Sequence, residues 1–213
     1  MFNTLSPEIH QKPAKGSLTN ASNIVIKDKS YDINTHYGQY EVRTDILWPM
    51  VDQLGAMLSY HSKVYQIRLE AHSKHYDGKN KEFTSDLSKL LKWLKGKGHK
   101  RVAYCWVREK DRSKHFHYHL VLWLNGHIID KPRSVYMRWD TILGAPQEWV
   151  RSTPMIHRNK PETHSKGIYV ASYLAKQRTK GYGDKGTRDF STSQLKHNSK
   201  NLETNYVYAK KIA

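Results

Sequence analysis

Three histidines recur at every second residue of "HFHYHLVLWLN": His115, His117 and His119. Alternate side chains of a strand share a face, so these imidazoles stand opposite the apolar row Phe116, Tyr118, Leu120, Leu122 and Leu124. Side chains two residues apart lie roughly 6.5–7 Å from each other, close enough for two imidazoles to turn onto one ion. Three ligands from one strand would leave little room for others, which makes His115 the bystander. The bland alternative is a solvent-facing row in a chain that carries 13 His.

A third ligand is sought across the hairpin. "RVAYCWVRE" precedes the histidine strand, and the polar "KDRSK" between them has the length of a hairpin loop. Symmetric closure over residues 110–114 puts Glu109 opposite His115, Val107 opposite His117 and Cys105 opposite His119. Trp106, Tyr104 and Val102 then join the apolar side, and Glu109 joins the histidine side. "VYQIRLE" alternates too, with Tyr65, Ile67 and Leu69 on one face and Gln66, Arg68 and Glu70 on the other. A shared sheet therefore gathers two His and one or two carboxylates, Glu109 or Glu70. Mixed imidazole and carboxylate ligation suits Mg²⁺ or Mn²⁺ better than a structural zinc site.

A second set of reactive groups sits in "GIYVASYLAKQ". At about 100° per residue, Tyr173 and Lys176 fall within roughly 40° of Tyr169, while Ile168, Val170, Ala171, Leu174 and Ala175 cover the other side. Two tyrosines and a lysine thus face away from the core. An exposed aromatic pair beside a lysine is the bland reading; a nucleophile is the chemical one. A phenol is barely ionised at neutral pH, and a nearby ammonium favours the phenolate.

The elements that hold these groups follow from periodicity. Leu47, Val51, Leu54 and Leu58 in "TDILWPMVDQLGAMLSY" keep helical spacing, as do Leu87, Leu90, Leu91 and Leu94 in "TSDLSKLLKWLK", which Gly96 and Gly98 stop. "SVYMRWDTIL" reads as a helix, and "QEWVRSTPMIHRNKPETH" is ambiguous. The order β-α-β-β followed by helices predicts an α+β fold, an antiparallel sheet with helices on one face and the other face free for a ligand. Residues 1–43 read as an N-terminal arm, 44–193 as the catalytic domain, and 194–213 as a basic tail.

Composition narrows the class. The chain has 213 residues, a net charge of +17 and 38% apolar residues, enough for one core. Its single Cys excludes a disulfide framework and suits a reducing cytosol. The longest apolar run is "LVLWL", and the N-terminal residues lack the apolar stretch of a signal peptide. A cytoplasmic protein without a membrane partner, bound to a polyanion, is the expectation. Ten Lys or Arg and three Asp or Glu lie between Arg158 and Lys200. Lys160, Lys166, Arg178, Lys180, Lys185 and Arg188 there, with Arg68, are candidate phosphate contacts.

An H-x-H strand followed some fifty residues later by a Y-x-x-K helix resembles the HUH endonucleases. "HYH" matches the histidine–hydrophobe–histidine motif, and "YVASYLAK" matches the tyrosine motif of the two-tyrosine class of rolling-circle initiators. "VREKDRSKHFHYHLVLWLNG", "YLAK" and "RDFSTS" are similar to the gene II protein-like replication initiators of filamentous phages and related integrated elements, over roughly residues 64–193. The resemblance implies an RRM-like (ferredoxin-like) sheet and Mg²⁺ or Mn²⁺ held by His117, His119 and Glu109, with Glu70 in reserve. It implies Tyr173 as nucleophile, because Lys176 follows at +3. Tyr169 is then the second tyrosine or, as in one-tyrosine relatives, a ring that stacks on a base.

The implied activity is nicking and rejoining of single-stranded origin DNA in a bacterial host, through a 5′-phosphotyrosine intermediate. The free 3′-hydroxyl then serves the host helicase and polymerase. The rival readings are an HUH relaxase or transposase, a non-catalytic RRM-like single-strand binder, and a His/Glu metallohydrolase in which water attacks.

Overall fold

The computed structural model describes residues 6–73, 79–110, 116–129, 131–149, 154–178, 180 and 186–201. Five short strands come first: β1 (Glu8–Ile9), β2 (Leu18–Thr19), β3 (Asn23–Ile26), β4 (Lys29–Asp32) and β5 (Val42–Arg43). Helix α1 (Thr44–Tyr60), strand β6 (Lys63–His72), helix α2 (Lys81–Gly96) and the strands β7 (Ala103–Lys110) and β8 (Phe116–Asn125) follow. Helix α3 (Arg133–Leu143), β9 (Met155–His157), α4 (Pro161–Ser172), a 3-10 turn at Tyr173–Ala175 and β10 (Phe190–Thr192) complete the order that positions the site.

Strands β10, β7, β8, β6 and β9 lie side by side in that order as one antiparallel sheet. This is the α+β class expected from the periodicities, compatible with an RRM-like or HUH fold. The ambiguous stretch after Gln147 contains the edge strand β9, paired to the start of β6.

The expected hairpin register is corrected by two positions. Glu109 pairs with His117 and Val107 with His119, because pairing runs on to Lys110 and Phe116. A slip of two leaves every side chain on its own face, so the predicted faces hold. His115 lies outside the described residues.

The expectation of helices on one face is also corrected. α2 and α3 cover one side, where Phe83, Leu87, Leu90, Leu94, Val135 and Trp139 pack on Ile67, Leu69, Trp106, Tyr118, Leu120 and Leu122. The other side is covered by α1 and α4 over Val64, Cys105, Val107, Val121 and Trp123. The sequence carries both layers openly, since Val121, Trp123, Cys105 and Val107 are apolar on the histidine face, and apolar surface needs cover.

The segment expected as an arm folds over its described part. Strand β3 pairs with β1 and β4, and Ile24, Ile26, Tyr31 and Ile33 are buried with α1 and α4 in one cluster. Asp32 and Asn34 backbone N–H groups donate to Ser165 and Ser172 on α4. Burial of these isoleucines stabilises by roughly 1.5–3 kcal/mol each. At the other end, residues 193–198 run along α1: Leu195 N–H donates to Gln53 and Asn198 N–H to Ser59. No described helix is long and apolar enough to cross a membrane.

Candidate active site

The cross-strand register builds the site. Glu70 on β6 pairs with His119 on β8, and His72 pairs with His117. With Glu109 opposite His117 on β7, the polar groups of three adjacent strands converge at one end of the sheet. Cover on this face is apolar further along, so the charged groups collect where that cover stops.

Glu70 lies at the centre. Its Oε2 is 3.2 Å from His117 Nε2 and its Oε1 is 3.1 Å from His119 Nδ1. Arg68 Nη2 donates to Glu70 Oε1 at 2.7 Å and lies 3.2 Å from His119 Nδ1. Burial alone would raise the Glu70 pKa; hydrogen bonds from His117 and His119 and the Arg68 charge outweigh it and hold the carboxyl well below its ordinary range. The His72 ring stacks on His117 at 4.2 Å between centroids.

Glu109 takes a different place. Its Oε2 is 3.3 Å from His119 Nε2, on the far side of the ring from Glu70. Its Oε1 accepts a 2.6 Å hydrogen bond from Lys180 Nζ. Burial opposes ionisation here too, but His119 and Lys180 bring the Glu109 pKa down to about 2. His119 is the converse case. Burial disfavours its imidazolium, and the bonds to Glu109 and Glu70 outweigh that and raise its pKa above the ordinary value.

Among the described residues, Glu70, His117 and His119 could hold a metal ion, with ligand atoms all within 4.8 Å of one another. Two imidazoles and a carboxylate fit a hard or borderline divalent cation. The primary expectation, Glu109 as third ligand, gives way to Glu70, the carboxylate named in reserve. The reason is geometric: Glu70 reaches both imidazoles, whereas Glu109 reaches His119 alone, at the ring nitrogen opposite Glu70. Parity in "VYQIRLE" was the signal for Glu70, and strand order decides between the two.

The tyrosine segment stands over this cluster. Helix α4 stops at Ser172, whose hydroxyl donates to Tyr169 O at 2.8 Å and accepts from Asn34 N–H at 2.8 Å. Such local side-chain bonds compete with helix geometry. The chain tightens into the 3-10 turn, and Lys176 is extended, bridged to Val42. The predicted continuous helix over residues 167–177 is therefore corrected at its last turn. Tyr173 is 39% exposed, and its ring lies 6.1 Å from that of His119, edge to face. The Arg68 guanidinium sits 4.4 Å from the Tyr173 centroid and Lys176 Nζ 4.6 Å from it. Burial and the neighbouring Arg178 and Arg68 charges lower the Lys176 pKa. Tyr169 is exposed one helical turn earlier.

The cationic candidates divide. Lys166, Arg178, Arg188 and Lys160 are exposed. Lys180 is not a surface contact: its side chain is fully buried and bonded to Glu109. Arg68 is largely buried in the site, bonded to Glu70. Lys185 lies outside the described residues. Sequence reasoning missed His72, the role of Lys180, and Tyr40, whose ring lies 4.6 Å from Lys176 Nζ.

No curated protein and no solved structure matches the chain. A family model does, that of the replication-associated protein ORF2/gene II protein, across residues 59–178. That span runs from the end of α1 to just past Lys176 and so contains Glu70, Glu109, both histidines and both tyrosines. The chain belongs to the replication-associated protein ORF2/gene II protein family.

Proposed function

We propose that this protein initiates replication by cutting and rejoining single-stranded origin DNA through Tyr173. The observation that carries the reading is the contact of the Tyr173 ring with His119, with Arg68 and Lys176 against the same ring. A nucleophile and a Glu–His–His ligand set then share one patch of surface.

A divalent cation held by Glu70, His117 and His119 supplies charge neutralisation and polarisation of the scissile phosphate. The chain's own groups do the rest. Arg68 and Lys176 set two cations against the Tyr173 ring and draw the phosphate towards it. Tyr173 Oη attacks phosphorus in line and the bond from phosphorus to the 3′ oxygen breaks. The phenol gives up its proton to water, and the departing 3′ oxygen takes one from water. The products are a 5′-phosphotyrosine and a free 3′-hydroxyl for host polymerase. One phosphodiester replaces another, so rejoining by the reverse path needs no added energy source. Tyr169 is the candidate for a second such attack.

Lys166, Arg178 and Arg188 set the position of the DNA backbone without reading bases. The working compartment is the bacterial host cytoplasm, where the replication machinery resides.

The test is a labelled single-stranded origin oligonucleotide with Mn²⁺, resolved under denaturing conditions. A covalent protein–DNA band is expected, lost in Tyr173→Phe and retained in Tyr169→Phe for the first cut. Shifted DNA without a covalent band points to a binder; cut DNA without one points to water as nucleophile, and either result overturns the reading.

A further inference from the structure

The loop of residues 35–40 lies outside the family match, yet it is fastened to the tyrosine segment at both ends. Before it, Asn34 N–H donates to Ser172 Oγ. After it, Gln177 N–H donates to Glu41 O at 2.8 Å, and Val42 bridges Lys176. The anchors are therefore the residues on either side of Tyr173. Both ends of the loop are thus tied by hydrogen bonds to the segment that carries that phenol.

Its conformation is unusual and well supported. His36, Tyr37 and Gly38 are all left-handed, with φ of 50°, 55° and 83°. Side chains rarely adopt that region, and two bulky ones in succession persist only where the surroundings enforce them. Here Thr35 is fully buried and enforces it: its carbonyl accepts from Tyr40 N–H at 2.9 Å and its hydroxyl from Gly38 N–H at 3.3 Å.

The effect is to hold an aromatic ring in water on a loop tied to the segment that carries the proposed nucleophile. Tyr37 is 95% exposed, a poor place for a tyrosine whose ring neighbour is His36 at 5.9 Å. The His36 ring lies 5.6 Å from that of Tyr40. Lys176 Nζ is 4.6 Å from Tyr40 and 4.6 Å from Tyr173, so one ammonium joins the loop to the nucleophile. Exposed aromatic rings and cations are the elements from which single-strand sites are made, the rings stacking on bases and the cations tracking the phosphates.

We infer that the 35–40 loop is a base-stacking platform, on which Tyr37 receives an unpaired nucleobase of the strand whose phosphate lies at Tyr173. This rests on the proposed single-stranded DNA substrate and adds the residues that seat it. Stacking accepts any base, so Tyr37 supplies affinity and placement rather than sequence choice. The nearby Lys176 supplies the salt-dependent part.

The experiment is fluorescence anisotropy of a fluorescein-labelled oligothymidylate with full-length wild type, Tyr37→Ala and Tyr37→Trp. Tyr37 is almost wholly exposed, so the alanine variant should unfold at the wild-type temperature. Binding should weaken about fivefold or more in Tyr37→Ala, the loss of one stacked base, and be retained by Tyr37→Trp. The dependence of affinity on salt concentration should keep its slope, because no charge is removed. Tyr37→Ala binding as tightly as wild type, or a tryptophan variant as weak as the alanine one, overturns the platform. The covalent-band assay separates this from the nicking reading. A normal band with unchanged binding in Tyr37→Ala sinks the platform alone. No band from wild type, together with weakened binding in Tyr37→Ala, sinks the nicking and leaves the platform standing.

Discussion

The same face of the same three strands has two halves with opposite chemistry. Toward one end, Val64, Cys105, Val121 and Trp123 lie under α1 and α4, all fully or almost fully buried. Toward the other, Arg68, Glu70, His117, His119 and Glu109 crowd together, with Tyr173 above them. Pairing of β6 with β8 is unbroken from Val64 to His72. The backbone therefore does not distinguish the halves; the cover does. The dry half holds one long polar side chain, Gln66, and both ends of its amide are bonded: Trp123 Nε1 donates to Oε1 at 2.8 Å, and Nε2 donates to Gly167 O at 3.0 Å. Stability can be concentrated in one half so that the other can keep charges that would not repay their own desolvation.

The division implies separable effects, the largest in the dry half. Trp123→Ala deletes a fully buried indole and should cost about 3–5 kcal/mol in urea unfolding. Mn²⁺ affinity of the molecules that remain folded should stay close to wild type. A large loss of Mn²⁺ binding at full foldedness would show that the halves are one unit.

Next come the two carboxylates of the polar half. Glu70→Gln should lower Mn²⁺ affinity by more than about 100-fold in titration calorimetry. Glu109→Gln, which only disturbs the orientation of His119, should cost about 10-fold. Equal losses would restore Glu109 as a ligand.

Gln66 joins the halves, because Gly167 is on the helix that ends at Tyr173. Gln66→Ala leaves the Trp123 N–H without its acceptor and removes the side-chain bond that ties the Gly167 carbonyl of α4 to the sheet, at about 1–3 kcal/mol. The covalent-adduct rate should drop further than Mn²⁺ affinity does, since the helix loosens and the ligands do not. An adduct rate at the wild-type level would detach Gln66 from the positioning of Tyr173.

Much of this arrangement is legible in the chain because strand parity is a local property. His117, His119, Glu70 and Glu109 share a face whatever the loop length, so a register wrong by two still assembles the right side chains. What parity does not carry is strand order. That β6 lies between β8 and β9, which brings Glu70 between both imidazoles, depends on contacts made at long range. Lys180 reads as a surface cation in a basic stretch; only the fold shows that it enters the site to meet Glu109. The N-terminal strands escaped for another reason. With two to four residues each they are too short for an alternation to show, and Ile24 and Ile26 alone hint at their burial. Likewise Ser172, which ends α4, looks like any helical serine until Asn34 arrives from the other end of the chain.

The smallest effect is a titration confined to the polar half, best read as the stability difference between wild type and Glu109→Gln in chelator. The pKa of His119 is raised from 6.5 in the folded protein. Its contribution is therefore complete below pH 6.5 and disappears as pH rises through the raised value. Glu109 has its pKa lowered from 4.5 to about 2, so its contribution is complete above 4.5 and disappears on acidification toward 2. The advantage of wild type should hence be widest between pH 4.5 and 6.5. It should narrow on the alkaline side without vanishing, because Lys180 still pairs with Glu109. Adding Mn²⁺ should turn the alkaline trend around: a cation competes with the proton for His119, and neutral imidazole binds it better as pH rises. A difference that stays flat across this range would mean that the Glu109–His119 contact carries no charge, and would remove the physical reason for placing Glu109 behind the ligand set.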